Sequence, residues 1–329
     1  MKRKLTAAFL LALFLLVGAE VVVRVFFARN MAGRFDYGYH PDAGFVEDGD
    51  KLKLVRAGGR RFFPQEMSKQ PAAGTFRIFV VGDSVPRGPG LEKAYAFQLQ
   101  EMLKAQGIKA EAFNLCVPGY GAQRKQIVLT KALEYQPSLV ILHLNASNEY
   151  EDEREFKRGK EFDGWHPKNW LMKSLVIRRL HEAKTEKAFW HLLPTEVRQQ
   201  GAPNDADAEI AAGKNDDTRK RWLEQVRQWT ATSVQTANSK GVPLLLVSQA
   251  VCENMKDRTK PLDDQGLAAV AESFKTEGVY HLSMKDVLTG GDYAALYSDG
   301  SHMRPDGHKA VAEALARFMT TNGVVKSRH

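Results

Sequence analysis

Apolar and polar positions fall into three regimes along this chain. The first is a solid block. After Met1-Lys2-Arg3-Lys4, residues Leu5 to Ala19 carry no charge, and Val21-Val22-Val23 and Val25-Phe26-Phe27-Ala28 extend the run past Glu20 and Arg24. The second regime, residues 31–75, has no sustained period. Tyr37, Tyr39, Pro41 and scattered glycines mark turns, and short runs near Leu52–Val55 and Arg61–Phe63 predict a hairpin. Pro71-Ala72-Ala73-Gly74 reads as a linker. The third regime starts at Phe76, where short apolar runs alternate with stretches of helical spacing.

Phe76–Val81 is a continuous apolar run stopped by Gly82, the pattern of a strand covered on both faces. Ala94–Gln106 sets Phe97, Leu99, Met102 and Leu103 at helical spacing and stops at Gly107. Glu111–Val117 predicts a second strand, closed by Pro118-Gly119. Ala122–Tyr135 predicts a second helix, with Ile127, Val128, Leu129 and Leu133 toward the core and Pro137 beyond its end. Leu139–Leu144 is a third strand and Val242–Val247 a fourth, preceded by the amphipathic stretch Arg221–Asn238. Val279–Leu282 is a short fifth strand. His308–Met319 is a closing helix with Val311, Leu315 and Phe318 on one face.

This alternation predicts an α/β fold, a mostly parallel sheet between two helical layers. Ligands of such sheets sit beyond the carboxyl ends of the strands. The loops that carry Ser84, Gly119 and Asn148 are therefore expected on one rim. Residues 150–220 break the pattern. Glu151–Lys160 is charge-dense, Asp163–Trp170 holds Trp165 and Trp170 beside a histidine and a proline, and Leu171–Leu180 is apolar and basic. Gly201–Asp217 is rich in Asn, Asp, Gly and Ala. The expected organisation is a membrane segment over 1–30, an irregular extension over 31–75, and an α/β domain over 76–322 with a partly helical insertion at about 150–220. The two tryptophans are read as packing of that insertion rather than as a sugar platform.

The N-terminal block has two readings. A cleaved signal peptide would use Val17-Gly18-Ala19 as its small-residue cleavage site. An uncleaved anchor would run from Leu5 to Ala28 as one helix of roughly 36 Å, enough to span a bilayer. Glu20 and Arg24 would then pair across one turn at the far interface. Cleavage after Ala19 would leave a Val- and Phe-rich end in water, which favours the anchor. In both readings the basic start stays in the cytoplasm and the rest of the chain is exported to the periplasmic or extracellular side.

Composition sharpens the picture only a little. The 329 residues are 43% hydrophobic and 26% charged, ordinary for a globular chain with a sizeable core. The net charge of +8 is interspersed with acids, as in Glu151-Asp152-Glu153-Arg154-Glu155, which reads as solvated surface. No zinc-finger, RNP or zipper pattern points to nucleic acid. Cys116 and Cys252 are too few for a disulfide scaffold. Cys116 falls in a strand and is expected to be buried and inert; a bridge between the two stays open. The nine histidines form no H-E-x-x-H pair, and Gly88-Pro89-Gly90 lacks the rest of a phosphate loop, so no metal or other cofactor is expected.

The candidate chemistry lies at the two ends of the α/β pattern. Ser84 follows the first strand directly, and Asp299-Gly300-Ser301-His302 lies far downstream. A serine hydroxyl attacks well only when a positioned imidazole takes its proton. The imidazole needs a carboxylate on its other nitrogen to hold the tautomer. Asp299, one turn before His302, can supply it. Asp83 reads as a structural acid bonding local backbone amides. His143 reads as a core or rim residue. His308 has no carboxylate three residues before it and reads as structural.

Four blocks resemble those of the SGNH, or GDSL, hydrolases. Gly82-Asp83-Ser84-Val85-Pro86-Arg87-Gly88 is similar to the G-D-S-x-x-x-G nucleophile block. Asn114-Leu115-Cys116-Val117-Pro118-Gly119 is similar to the second block, and Asn145-Ala146-Ser147-Asn148-Glu149 to the third. Asp299-Gly300-Ser301-His302 is similar to the D-x-x-H block. The third block departs from G-x-N-D at Ala146 and Glu149, which leaves Glu149 without an assigned role.

The resemblance implies a flavodoxin-like α/β/α sandwich with Ser84 as nucleophile, His302 as base and Asp299 as orienting acid. It also implies an oxyanion hole built from Ser84, Gly119 and Asn148. The implied activity is hydrolysis of O-acyl esters through an acyl-serine, with O-acetyl esters of an envelope polysaccharide as the candidate substrate. Two alternatives stand beside it: transfer of the acyl group to a sugar hydroxyl in company with a membrane acyl carrier, and a non-catalytic anchored binding or assembly subunit.

Overall fold

The computed structural model describes residues 2–27, 44–54, 62–149, 152, 174, 176–177, 216–252 and 262–325. Trp165, Trp170 and most of the expected 150–220 insertion lie outside them, as do residues 28–43.

Consecutive apolar residues in an extended chain point to opposite faces, so an unbroken run must be covered twice. Ile78 and Val80 face one layer while Phe79 and Val81 face the other, and Leu139–Leu144 and Leu244–Val247 alternate in the same way. Described elements are numbered in chain order: α1 Lys2–Val22, β1 Phe45–Asp48, β2 Lys51–Leu54, β3 Gln65–Ser68, β4 Phe76–Gly82, α2 Ser84–Arg87, α3 Tyr95–Ala105, β5 Ala110–Cys116, α4 Ala122–Ala132 and β6 Leu139–Leu144. They continue as α5 Asp216–Ser239, β7 Leu244–Ser248, α6 Leu267–Glu272, β8 Val279–Ser283, α7 Met284–Leu288, α8 Tyr293–Leu296 and α9 Pro305–Thr321.

Five strands form one parallel sheet in the order β5-β4-β6-β7-β8. The first strand of this sheet, β4, thus sits second, with later strands added outward on one side, the flavodoxin-like order. One face packs on α3 and α9 through Tyr95, Leu99, Leu103, Val311, Leu315 and Met319. The other packs on α4 and α5 through Val128, Leu129, Trp222 and Val226. The result is a three-layer α/β/α sandwich.

The structure corrects the expected elements at three places. The hairpin near Leu52–Val55 and Arg61–Phe63 is instead a three-stranded antiparallel sheet, β1-β2-β3. Gly49-Asp50 makes its first turn, with Gly49 at φ 60°, a left-handed conformation that costs glycine little. Phe62, expected in a strand, packs edge-on against Phe45 at 5.3 Å. Second, α5 is already helical at Asp216, the first residue described on that side and five residues before the amphipathic pattern shows. Third, the buried face of α4 includes Arg124 and Lys125, while Ile127 is only partly covered.

The small sheet covers an edge that β5 would otherwise expose. Gln65 Nε2 donates to Asn114 O at 2.9 Å, and Asn114 N–H donates to Gln65 Oε1 at 2.9 Å, so one side chain stands in for a neighbouring strand. Buried Arg77 completes the join. It pairs with Glu111 at 2.5 Å and donates to Ser68 O, Lys69 O and Tyr135 O.

Helix α1 runs into a wider turn, Val23–Phe27. Lys4–Val25 forms a 22-residue apolar stretch, none of it buried, long enough to cross a membrane as either a signal sequence or an anchor. Glu20 pairs with Arg24 at 2.8 Å and also accepts from Ser174 Oγ at 2.7 Å. Cys116 and Cys252 are both free and buried, so no bridge joins them.

His143 and His308 are fully buried around Tyr95, as their structural reading expects. Tyr95 N–H donates to His308 Nδ1 at 3.3 Å. Burial pushes both imidazoles down to about 4. A histidine depressed in the fold stays neutral while the unfolded chain takes up a proton below about 6.5. Each therefore contributes a stability loss as pH falls through the window from about 6.5 to about 4. Between pH 7 and 4.5, replacing His308 by Gln should reduce the acid-induced loss of unfolding free energy by about 2 kcal/mol. Urea titrations at the two pH values would check this; identical losses in the two proteins would mean His308 is not held neutral.

Candidate active site

A short turn of helix must begin at once after β4 for Ser84 to stand at the sheet's carboxyl edge. Gly82 allows it, because a Cβ there would collide with Pro86. Asp83, not Ser84, caps α2: its Oδ1 accepts from Val85 N–H at 2.9 Å. The Ser84 hydroxyl is thus left for other work, and it lies 2.8 Å from His302 Nε2.

His302 arrives from the opposite end of the chain. Its loop is closed by the bridge between Tyr297 and Met303 and by Ser298 N–H donating to His302 O at 2.8 Å. Within the loop Asp299 uses both oxygens. Oδ1 accepts the amides of Ser301 at 2.8 Å and His302 at 2.7 Å, and Oδ2 meets His302 Nδ1 at 2.8 Å. Partial burial pushes the Asp299 carboxyl up, but the two amides and the imidazole outweigh it and hold it below its ordinary range. Ser84, His302 and Asp299 therefore form one continuous hydrogen-bonded chain. The imidazole and carboxylate ends are open, with side chains 44% and 56% exposed.

Gly119 and Asn148 lie on the next two loops, after β5 and β6, the strands on either side of β4. Gly119 has φ 74°, a conformation that favours glycine. Asn148 Nδ2 is buried with no hydrogen-bond partner among the described residues. Such a donor costs about 1–3 kcal/mol. The two loops touch at Gly121, where a Cβ would stand 3.0 Å from Asn148 O.

Beneath this rim lies a charge network that the sequence reading missed. Lys125 Nζ pairs with Asp83 Oδ2 at 2.8 Å and donates to His143 O at 3.1 Å, all inside the core. Burial alone would raise Asp83, but Lys125 brings its carboxyl below the usual range. Arg124 pairs with buried Asp152 and donates to Gly119 O at 2.5 Å. Glu149, left without a role by the block comparison, accepts from Ala122 N–H at 2.7 Å. Burial and neighbouring Asp152 push its carboxyl well above the usual range, against the pull of the Ala122 amide, Lys125 and Arg124. One signal in the sequence pointed here: two cations in the first turn of α4 oppose the helix dipole and demand nearby acids.

Among the described residues no group of His, Cys, Asp and Glu could hold a metal ion.

The fold is similar to those of several solved esterases. The chain resembles the acetyl xylan esterase AlAXEase at 13% identity, covering 74% of this chain and 100% of that one, with a TM-score of 0.43. It resembles the psychrotrophic esterase EstA from Pseudoalteromonas sp. at 13% identity, covering 75% and 97%, with a TM-score of 0.40. It resembles AlinE4, an SGNH-hydrolase family esterase, at 16% identity, covering 78% and 100%, with a TM-score of 0.36. No family model matches the chain, and no curated protein matches it.

Removing one partner of a buried ion pair strands the other charge. Lys125→Met should lower stability by about 3–5 kcal/mol. Asp83→Asn combined with Lys125→Met should cost less than Lys125→Met alone, because no charge is left stranded. Denaturant unfolding of the two proteins measures both; a double variant at least as unstable as the single one would contradict the pairing.

Proposed function

We propose that this protein is an exported serine ester hydrolase of the SGNH type, anchored in the membrane by α1 and acting on O-acyl esters of the cell envelope. O-acetyl groups on polysaccharide are the favoured substrate class, since export brings Ser84 to such polymers. The hydrogen-bonded chain from Ser84 Oγ through His302 to Asp299 carries the reading.

His302 Nε2 takes the Ser84 proton as Oγ attacks the acyl carbon, and Asp299 holds the proton on Nδ1. The amides of Ser84 and Gly119 and the Asn148 side chain donate to the oxyanion. The unpartnered state of Asn148 Nδ2 supports that role, because a free donor needs no reorganisation when charge develops. Collapse expels the alcohol with the proton returned by His302. Water then attacks the acyl-Ser84 by the same route and releases the acid. Acyl transfer to a sugar would require water to be kept from the acyl-serine; the exposure of His302 and Asp299 favours hydrolysis.

Ser84→Ala should abolish hydrolysis of short-chain nitrophenyl esters while leaving the unfolding midpoint within the usual range for a surface substitution. Asn148→Ala should lower kcat by about 10²–10³-fold with KM little changed. Ester turnover within tenfold of wild type in Ser84→Ala would remove the nucleophile assignment, and a change in KM alone would make Asn148 a substrate-positioning residue.

The anchor reading has its own check. Alkaline carbonate should leave the protein in the membrane pellet, and N-terminal sequencing should find no chain starting at Glu20. A soluble form beginning at Glu20 would replace the anchor by a cleaved signal.

A further inference from the structure

We infer that Glu149 and Asp152 are positioning residues for the proposed reaction: they hold the Gly119 loop and the Asn148 loop in one fixed relation by capping the start of α4. The inference rests on the reading of the site given above.

A helix leaves its first amides without internal partners. They are commonly met by an oxygen on the cap residue itself. The cap of α4 is Gly121, which has no side chain to offer. The oxygens come instead from helical residues that follow the Asn148 turn after β6. Asp152 Oδ1 accepts from Gly121 N–H at 2.9 Å and Oδ2 from Arg124 N–H at 3.1 Å, while Glu149 Oε1 accepts from Ala122 N–H at 2.7 Å. All three side chains, Glu149, Asp152 and Arg124, are almost wholly buried.

The same groups reach both candidate oxyanion donors. On one side Asp152 pairs with Arg124, whose Nη2 holds the Gly119 carbonyl at 2.5 Å. Fixing that carbonyl restrains the residue whose own amide is the proposed donor. On the other side Asp152 N–H donates to Asn148 O at 3.3 Å and Glu149 N–H to Ala146 O at 3.3 Å. Gly121 must be glycine for this contact, since a Cβ there would lie 2.6 Å from the Asp152 carboxyl carbon. A small shift of either donor loop would lengthen the oxyanion bonds, where geometry is most costly. The groups facing Glu149 are Asp152 on its own helical turn and Arg124 and Lys125 on α4. Burial among them favours an uncharged acceptor, so a neutral amide should replace Glu149 well.

The test compares Glu149→Ala with Glu149→Gln in the full-length protein, using nitrophenyl acetate turnover and amide hydrogen exchange. Glu149→Ala should lower kcat by about 10–100-fold with KM within about twofold, and Glu149→Gln should restore kcat to within about threefold. Exchange should quicken over residues 119–124 and 145–149 in the alanine variant only, with the β4 and β6 amides unchanged. If Glu149→Ala fails to fold, Asp152→Asn takes its place, with the same kcat loss and loop exchange expected. A kcat within twofold of wild type, equal losses from alanine and glutamine, or loop exchange at wild-type rates would overturn the inference. Absence of any Ser84-dependent turnover would instead overturn the ester-hydrolase reading, and the exchange comparison would still decide whether Glu149 ties the loops together.

Discussion

Two buried cations at the head of α4, Arg124 and Lys125, set the terms for the rest of the site. A charge inside a core is tolerable only when it is paired and its remaining donors are used. Lys125 finds Asp83 at the tip of β4, and Arg124 finds Asp152 beyond β6. Each pairing drags a loop with it. The turn that presents Ser84, the loop of Gly119 and the loop of Asn148 are thereby all referred to one helix end. The unpaired first amides of that end add a demand for acceptors, and Glu149 and Asp152 meet it together.

The other half of the site is built on an opposite plan. His302 and Asp299 sit on an open loop, held by local bonds rather than by burial. Asp299 spends one oxygen on two backbone amides of its own loop and keeps the other for the imidazole. The loop is thereby stiffened without being covered. Buried groups on one side and an exposed imidazole on the other suit the proposed reaction, in which an oxyanion would be met by fixed donors while protons and water come and go.

The sheet was legible because its strands are covered on both faces and so read as unbroken apolar runs of the right length. The helices α3 and α4 were legible from their spacing and their Gly and Pro stops, and α9 from its spacing, though it begins at Pro305 rather than His308. Of the antiparallel sheet only β2 was legible, near Leu52–Val55; β1 and β3 were not, because Phe45–Asp48 and Gln65–Ser68 are short and mixed in polarity. Its turn residues, Gly49-Asp50, were the better signal. Arg124 and Lys125 were passed over for a related reason: charged residues on a helix are usually solvated, and their place in the first turn of α4, against the dipole, was the one local sign of an exception.

The sequence by itself determined the order of strands and helices, and the residue types that could carry chemistry, since both follow from local periodicity and from side-chain functional groups. That Ser84 and Asp299-Gly300-Ser301-His302 stand close enough to share a proton was decided by the tertiary structure. So was the assignment of acids to partners: Asp83 to Lys125, Asp152 to Arg124, Asp299 to His302, and Glu149 to the amide of Ala122. The physical reason is that periodicity depends on neighbours a few positions away. Pairing energy depends on which charges the packed sheet excludes from water together, and those charges lie anywhere along the chain.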